Sequence, residues 1–502
     1  MPDTGRVSGG GLDPVALREL ADTAKLRGAA LGATSLDFRA ECVRTHRLSL
    51  SDGELEDIGE SEDTGFAVRV VRHGTWGWAG DCELTVAAVD RAVRDAVSLA
   101  ETLSTANRRP VALVEEPVHH DLEWASPCRV DPFTVPVAER IGLLADWSRT
   151  LLAQPGVDHV EASVTQVREE KFYADSAGTT TFQRRVRIHP ELTAMSTGRR
   201  HVGVRMTAPP TARGWEYLRG DGWDFDAELR ALPGLLAEKR AARPVRPGRY
   251  DLLVDSTHLW MPLHESIGHA TELDRALGDE AAFAGGTFAT PDLIGTLRYG
   301  SPLLNVTGDR TDPYGLATVG YDDEGVRAQS WSLISDGILT GCQTDRHTAG
   351  RIGLRRSNGC AFAESARFAP MQRMPNVSLT PAPDGPGLDE LIAGIDDGIY
   401  LAGEGSYSID MQRRNFQFTA DRARRIHRGR LAEPLDGVAY QADTLEFWRA
   451  MEAVGGPETY VLNGALDCGK GQPGQLAPVS HGAPAAVFAG IRVLDTGQEG
   501  GL

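Results

Sequence analysis

Two histidines and a glutamate stand close together in the segment MPLHESIGHATELD. His264, Glu265 and His269 form the pattern His-Glu-x-x-x-His. In the common zinc-peptidase pattern the second histidine follows four residues after the first, so that both imidazoles lie on one helix face. Here it follows after five residues, and an ideal α-helix would leave the two side chains roughly 140° apart. The two histidines can therefore share a metal only on a distorted helix.

A π-turn would correct this spacing, because it widens one turn to an i→i+5 hydrogen bond and is frequent at functional sites. Gly268, directly before the second histidine, is a favourable place for a helix irregularity. Two ordinary histidines on a partly buried helix are the alternative, and spacing alone does not decide between them. Glu265 favours the metal site, since a carboxylate beside the first ligand can act as the general base of a hydrolytic zinc site.

Catalytic zinc normally has three protein ligands and one open position. The Gly- and Pro-rich segment LNGALDCGKGQPGQLAPVSHGAPAAVF contains the two main candidates for the third ligand, Cys468 and His481. A Cys468 thiolate could be stabilised by zinc and by the nearby Lys470. Spacing alone leaves this choice open. Weaker candidates are Cys342, His347 and Cys360.

The patterns of the elements around these residues change near Arg246. Before it, helical and strand-like patterns alternate, with a hairpin turn at SDGE and a fourth helix at about Phe225 to Ala242. After it, short β-like runs with Gly, Asp and Pro turns dominate, including hairpin turns at SDGI and HRGR. We therefore predict an α+β fold, with an N-terminal α/β domain over residues 1–246. A β-rich domain over residues 247–502 would carry the His-Glu-x-x-x-His helix.

Composition and charge argue against several classes of protein. The net charge of −18, from 52 basic and 70 acidic residues, argues against a general nucleic-acid binder. No run of eighteen or more apolar residues is present, so we expect no membrane span. The start, MPDTGRVSGGGLDP, lacks the basic and apolar regions of a signal peptide, and the six cysteines form no Cys-x-x-Cys pair. We expect a cytoplasmic protein.

The chain resembles the TldD/PmbA peptidase family, once described as modulators of DNA gyrase, and within it the metal-bearing, TldD-like branch. The resemblance rests on EDTGFAVRVVRHGTWGWAG, LHESIGHATELD, DDEGVRAQSWSLISDGILTG, PMQRMPN and DCGKGQPGQLAPVSHGAP, which follow in the family's order over nearly the whole length. It implies Zn²⁺ held by His264, His269 and Cys468, with Glu265 as general base. It also implies an obligate dimer, commonly with a TldE/PmbA-like paralogue that lacks the zinc motif, around an enclosed cavity.

The resemblance says less about the substrate. Glu272 matches an acidic family position three residues after the second histidine, and we expect it to support the metal site or the fold. Arg373 and Asn376, in PMQRMPN, could face substrate, although a structural arginine and a turn asparagine are the alternatives. Arg413 and Arg414 depart from the family pattern, in which small residues precede the strand, and this puts the usual substrate in doubt.

We predict a zinc-dependent peptidase that hydrolyses amide bonds of unfolded or small peptides inside a dimer cavity, where strand addition could hold the peptide. One alternative is a zinc amide hydrolase acting on a peptide-like intermediate in a specialised-metabolite pathway. The others are a thiol hydrolase that uses Cys468 and His481 without metal, and a non-catalytic binding partner. Glu265 argues against the last, because a purely structural zinc site has no use for a base.

Overall fold

The computed structural model describes residues 6–7, 11–198, 201–283, 285–471 and 473–497 of the chain. Several of the N-terminal residues that argued against a signal peptide lie outside these ranges. Within them, no helix is both long and apolar enough to cross a membrane. Helices and mostly antiparallel sheets are combined, so the predicted α+β class is confirmed.

The first part of the chain forms one large sheet with helices packed against it. In chain order its elements are β1 (Arg6–Val7), β2 (Gly11–Leu12), α1 (Pro14–Ala30), β3 (Ser35–Ser51), β4 (Glu54–Arg72), β5 (Thr75–Asp81), α2 (Val86–Ser104), β6 (Leu122–Ala125), α3 (Val137–Leu152), β7 (His159–Asp175), β8 (Thr180–Ser196), β9 (Val202–Arg205) and α4 (Phe225–Ala241). Short 3-10 turns lie at Pro132–Thr134 and Trp215–Arg219. The predicted fourth helix is therefore confirmed.

Seven strands of the described residues form this sheet, in the order β5-β4-β3-β7-β8-β6, with β9 added to β8. The long β3–β4 hairpin turns at Asp52 and Gly53, which have φ angles of 53° and 81°. Such left-handed pairs suit a tight hairpin, and the hairpin predicted at SDGE is confirmed. α1 and α2 contribute to one apolar core on the sheet, and α3 and α4 contribute to another.

The second part of the chain is richer in strands. In chain order its elements are β10 (Arg243–Pro244), β11 (Gly248–Val254), α5 (Ser256–Leu263), α6 (Leu273–Ala276), β12 (Val306–Asp309), β13 (Ser330–Ser335), β14 (Ile338–Leu339), α7 (Arg346–Arg351), β15 (Ala361–Phe362), β16 (Met371–Gln372), β17 (Asn376–Leu379), α8 (Leu388–Ala393), β18 (Asp397–Ala402), β19 (Tyr407–Ile409), β20 (Asn415–Thr419), β21 (Arg422–His427), β22 (Arg430–Asp436), β23 (Val438–Asp443), α9 (Thr444–Arg449), β24 (Met451–Val454), β25 (Val461–Lys470), β26 (Gln475–Ala483) and β27 (Ala486–Asp495). Short 3-10 turns lie at His269–Thr271, Pro291–Leu293 and Pro457–Thr459.

Ten of these strands form a second sheet, in the order β10-β22-β21-β18-β11-β27-β23-β20-β19, with β24 added to β27. The turns predicted at SDGI and HRGR join β13 to β14 and β21 to β22, and both are confirmed. β10 already belongs to this sheet, although it precedes the predicted domain boundary at Arg246. That boundary stays a prediction.

Two features of this part bring the chemical residues together. The central strand β11 leads directly into α5, whose N-terminus is capped by the Asp255 side chain. The β25–β26 hairpin forms a separate two-stranded sheet that packs against α5 and β17. A large apolar core that includes Trp448, Tyr440 and Phe488 surrounds α5. The histidine segment is therefore held in the interior, with the cysteine-bearing hairpin beside it.

Candidate active site

The helix that carries the two histidines is distorted between them. α5 passes into a π-turn at His264–Gly268, in which the amide N–H of His269 donates to the carbonyl of His264. The two imidazoles consequently come together, with ring centroids 4.6 Å apart. The distortion predicted from the His-Glu-x-x-x-His spacing is confirmed.

Local side chains explain how the chain tolerates this distortion. Pro262 lies inside α5 and has no N–H to continue the helical hydrogen bonds. The hydroxyl of Ser266 donates to the Pro262 carbonyl and accepts from the Trp448 indole at 2.9 Å. Gly268 has an ordinary helical φ of −51°, so the irregularity does not need glycine's conformational freedom. Close packing favours glycine instead, because a Cβ there would lie 2.5 Å from the sulfur of Met374, which would have to move.

Three potential metal ligands converge from distant parts of the chain. The ligand atoms of His264, His269 and Cys468 all lie within 4.8 Å of one another, and the three residues are buried. Cys468 comes from β25, and its Sγ lies 3.7 Å from His269 Nε2. Tetrahedral zinc, with bonds of about 2.3 Å to sulfur and about 2.0 Å to nitrogen, would separate two such ligand atoms by about 3.5 Å. The donor types and their spacing therefore fit zinc.

His481 lies behind His264 and sets its orientation. The Val377 carbonyl can only accept a hydrogen bond, so His481 donates to it from Nδ1, at 3.0 Å. Burial is the main reason why the pKa of His481 lies well below its ordinary value. The ring is therefore neutral, and its Nε2 is an acceptor. His264 Nδ1 lies 2.7 Å from that nitrogen and donates to it, which leaves Nε2 of His264 for the cluster. His481, the alternative ligand considered from the sequence, thus contacts His264, one of the three potential ligands.

Glu272 orients His269 in the same way. Its Oε2 accepts from His269 Nδ1 at 2.9 Å and from Arg275 Nε at 3.0 Å, and its Oε1 accepts from Lys470 Nζ at 3.0 Å. Burial alone would raise the pKa of Glu272, but Lys470, Arg275 and His269 hold it well below its ordinary value. An ionised Glu272 keeps the proton of His269 on Nδ1 and leaves Nε2 facing Cys468.

The protonation states of the three residues suit metal binding. Burial lowers the pKa of His264 and of His269, which favours the neutral imidazole that binds metals. Burial alone would raise the pKa of the Cys468 thiol, but His269 and then Arg373 lower it to a net value below the ordinary one. Lys470, which the sequence suggested for this role, instead pairs with Glu272 and with Asp274.

Arg373 and Asn376, predicted to face substrate, are each only 1% exposed. Arg373 donates to the carbonyl oxygens of Cys468 and Gln475, and so ties together the two strands of the β25–β26 hairpin. Asn376 accepts from the Ala317 amide at 3.0 Å. These contacts give both residues a structural role, and a contact with substrate stays a prediction.

Two residues near Glu265 extend the site beyond the predicted set. Glu265 is 3% exposed, and its Oε2 accepts from Arg413 Nη1 at 2.7 Å. The negative charge of nearby Glu265, then burial and the charge of Cys468, raise the pKa of Tyr407 to about 12. In the sequence, Arg413 stands out only as a departure from a family pattern, and no motif points to Tyr407. Both lie in the β19–β20 hairpin, far along the chain from Glu265.

Two models of known protein families match this chain. Residues 247–495 match a family model described as the PmbA/TldA metallopeptidase C-terminal domain, and residues 36–100 match PmbA/TldA metallopeptidase domain 1. The chain belongs to the TldD/PmbA family. The predicted family and the enzyme class, a metallopeptidase, are confirmed.

This TldD/PmbA chain has relatives that match most of its length. It is 27% identical over 456 residues to a metalloprotease of Methanothermobacter thermautotrophicus. The matched region covers 89% of this chain and 92% of the relative. Over 269 residues it is 27% identical to a zinc metalloprotease TldD homolog of Saccharolobus solfataricus. This matched region covers 53% of this chain and 56% of the relative.

Solved structures share the fold of this TldD/PmbA chain. A modulator of a DNA gyrase from Thermotoga maritima superposes with a TM-score of 0.77 at 14% identity, covering 95% of this chain and 100% of that one. TldE from Thermococcus kodakarensis superposes with a TM-score of 0.71 at 15% identity, covering 95% and 99%. At these identities the likeness establishes the fold alone.

Proposed function

We propose that the chain is a zinc-dependent peptidase in which His264, His269 and Cys468 hold the metal and Glu265 is the general base. The observation that carries this proposal is the convergence of the three buried ligand atoms within 4.8 Å, with a carboxylate next to the first ligand in sequence. Mixed nitrogen and sulfur donors favour zinc. The name of the Saccharolobus relative, a zinc metalloprotease, supports the same metal.

The residues of the chain divide the chemistry between them. Zinc, when bound, supplies Lewis acidity toward water and toward a carbonyl oxygen. Glu265 takes a proton from the attacking water and returns it to the leaving nitrogen, so that the C–N bond breaks and a neutral amine departs. His481 and Glu272 hold the protons of the two histidines on Nδ1, so that each Nε2 stays available.

The proposed substrates are unfolded or small peptides. β19 is the last strand of the ten-stranded sheet among the described residues, and its first residue, Tyr407, lies near enough to Glu265 for the carboxylate to raise the pKa of the phenol. An extended peptide that added to such an edge would run past the proposed base. A peptide-like small metabolite would use the same chemistry. A panel of both substrate types distinguishes the two, because only a peptidase hydrolyses unrelated peptide sequences.

Replacing Glu265 tests the proposed mechanism. Glu265→Gln keeps the shape and one acceptor oxygen of the side chain but removes the basic carboxylate. We expect the variant to retain zinc and to lose at least ~100-fold in turnover of peptides, since general acid–base catalysis contributes about 10²–10⁴-fold. Zinc content and turnover are measured on the same preparation, with Glu433→Gln at an exposed position of β22 as the control. Unchanged turnover with zinc retained would exclude Glu265 as the base.

A thiol hydrolase that uses Cys468 and His481 is the rival mechanism. The contacts of His481 disfavour it, because its Nε2 meets His264 and its Nδ1 meets Val377. Complete removal of zinc by a chelator, followed by its return, separates the two mechanisms. A peptidase of the proposed kind loses activity and then regains it, whereas a thiol hydrolase keeps its activity throughout.

A further inference from the structure

The ion pair between Arg413 and Glu265 has no role yet in the chemistry above. Arg413 Nη1 lies 2.7 Å from Glu265 Oε2, and the two side chains are 12% and 5% exposed. Exposed ion pairs contribute little because water and salt screen them, but this pair is largely withdrawn from water. The guanidinium engages one of the two carboxylate oxygens and so restricts the rotation of the Glu265 side chain.

The loop that presents Arg413 is fixed from several sides. Arg413 has a left-handed backbone, with a φ of 60°, which side-chain-bearing residues adopt only where the surroundings enforce it. Its amide donates to the Asp410 carbonyl at 3.0 Å, and its carbonyl accepts from the Thr444 hydroxyl at 2.7 Å. The Asp410 carboxylate also accepts from three backbone N–H groups of the same loop. The chain thus holds an arginine in an unfavourable conformation, directed at the proposed base.

We propose that Arg413 is a positioning residue, which fixes the carboxylate of Glu265 in the orientation from which it takes the proton. The inference rests on the proposed function, because it assigns Arg413 a role in the same reaction. A general base must lie within hydrogen-bond reach of the proton that it removes. A glutamate side chain has three rotatable bonds, and a misplacement of about 1 Å can cost about 10²-fold in rate.

Kinetic constants of three variants test this role. We expect Arg413→Ala to lower kcat by about 10- to 100-fold and to change KM by less than about threefold, because positioning of the base affects the reaction rather than binding. Arg413→Lys retains a cation but not the planar fork, so we expect an intermediate kcat. Arg414→Ala is the matched control. Its side chain lies in the same loop but pairs with Asp443 instead of Glu265, and we expect both constants to stay within about threefold of wild type.

Chemical rescue distinguishes positioning from a general effect on the fold. Glycine adopts a φ of 60° readily, so Arg413→Gly removes the guanidinium without straining the loop. We expect millimolar methylguanidinium to raise its kcat at least about fivefold, and to leave the wild type and Glu265→Gln unchanged. Zinc content is measured for every variant and should equal that of the wild type. Absence of rescue, or loss of zinc together with activity, would overturn the proposal.

A crystal structure of Arg413→Gly gives a test that does not depend on activity. We expect the Glu265 carboxylate to leave its position in this variant and to return to it in crystals soaked with methylguanidinium. An unchanged Glu265 side chain would overturn the positioning role even if the wild type had no peptidase activity. A wild type that hydrolyses no peptide would instead refute the proposed function. An increase in kcat on removal of Arg413 would show that the arginine restrains the base, and would also refute the positioning role.

Discussion

The hydrogen bonds made by Nδ1 of the two histidines decide which ring nitrogen each can offer to a metal. His264 donates from Nδ1 to His481, and His269 donates from Nδ1 to Glu272, so both rings present Nε2. His481 and Glu272 therefore have the same function, since each accepts the Nδ1 proton of one histidine and so orients its ring. Supporting groups of this kind usually affect metal affinity by 10- to 100-fold, although they do not touch the metal. The candidate site thus includes His481 and Glu272 besides the three ligands that the resemblance implied, and a supporting role had been expected for Glu272 alone.

Substitution of single ligands gives the first prediction at this scale. We expect about one zinc per chain in the wild type, and its loss in His264→Ala and in Cys468→Ala, because three protein ligands are the usual minimum for catalytic zinc. Cys342→Ser is the control, since Cys342 lies outside the cluster of ligand atoms. Metal analysis of the purified proteins checks the result. Stoichiometric zinc in Cys468→Ala would mean that another residue is the third ligand, and His481 would be tested next.

At the scale of elements, the π-turn matters because it converts an unsuitable histidine spacing into a convergent one. Gly268 packs so closely under this turn that an added Cβ would lie 2.5 Å from Met374 Sδ and 2.9 Å from its Cε. Overpacking of this kind in a buried region typically costs about 1–3 kcal/mol. The flexible end of a methionine can move, so the cost should depend on Met374 itself.

A double-mutant cycle tests this packing. We expect Gly268→Ala to lower the free energy of unfolding by about 1–3 kcal/mol, and by clearly less in a Met374→Ala background, where the clash is removed. Gly142→Ala is the control, since Gly142 lies in α3 with no atom within 4 Å of the added Cβ. There we expect a gain of about 0.5–1 kcal/mol from the better helix propensity of alanine. Denaturant unfolding is measured for the four proteins of the cycle and for the Gly142→Ala control, and equal costs in both backgrounds would contradict the packing argument.

Features that depend on local chemistry could be predicted from the sequence. The turn at Asp52 and Gly53 and the distortion between the histidines follow from residue types a few positions apart. Spacing alone could not distinguish Cys468 from His481 as the third ligand, because both lie in the β25–β26 hairpin, and only the family resemblance favoured Cys468. An irregularity between Ala465 and Cys468 shifts the register there, and a shift of one residue turns a side chain to the other face of a strand.

The role proposed for Arg413 could also not be predicted from the sequence. It depends on a contact 148 residues away along the chain and on a left-handed backbone that no local pattern indicates for an arginine. The pairing of Lys470 shows the same limit. Its proximity to Cys468 in sequence suggested that it would stabilise the thiolate, but in the folded chain its ammonium group pairs with Glu272 and Asp274.

At the scale of the whole molecule, the edge of the seven-stranded sheet bears on the predicted dimer. β5 pairs only with residues 66–72 of β4, so the first part of β4 is an open edge among the described residues. Leu55 and Ile58 are 46% and 43% exposed there, between the acidic Glu54, Glu56 and Asp57. Charged side chains on an edge strand discourage pairing with an identical edge, since like charges would stand opposite each other. The edge therefore disfavours self-pairing more than pairing with a different chain.

The last prediction concerns this assembly. We expect the chain to form a one-to-one complex with a TldE/PmbA-like paralogue, and peptide hydrolysis to require that complex. The acidic open edge of β4 supports this expectation, because it disfavours pairing with a second copy of the same chain. Light scattering and turnover are measured on the chain alone and co-expressed with a paralogue that lacks the His-Glu-x-x-x-His motif, at low and high salt. Because exposed acidic groups are screened by salt, self-association through the β4 edge would strengthen at high salt, whereas pairing with a basic partner edge would weaken. A fully active monomer would show that the site is complete within one chain and would remove the need for a partner.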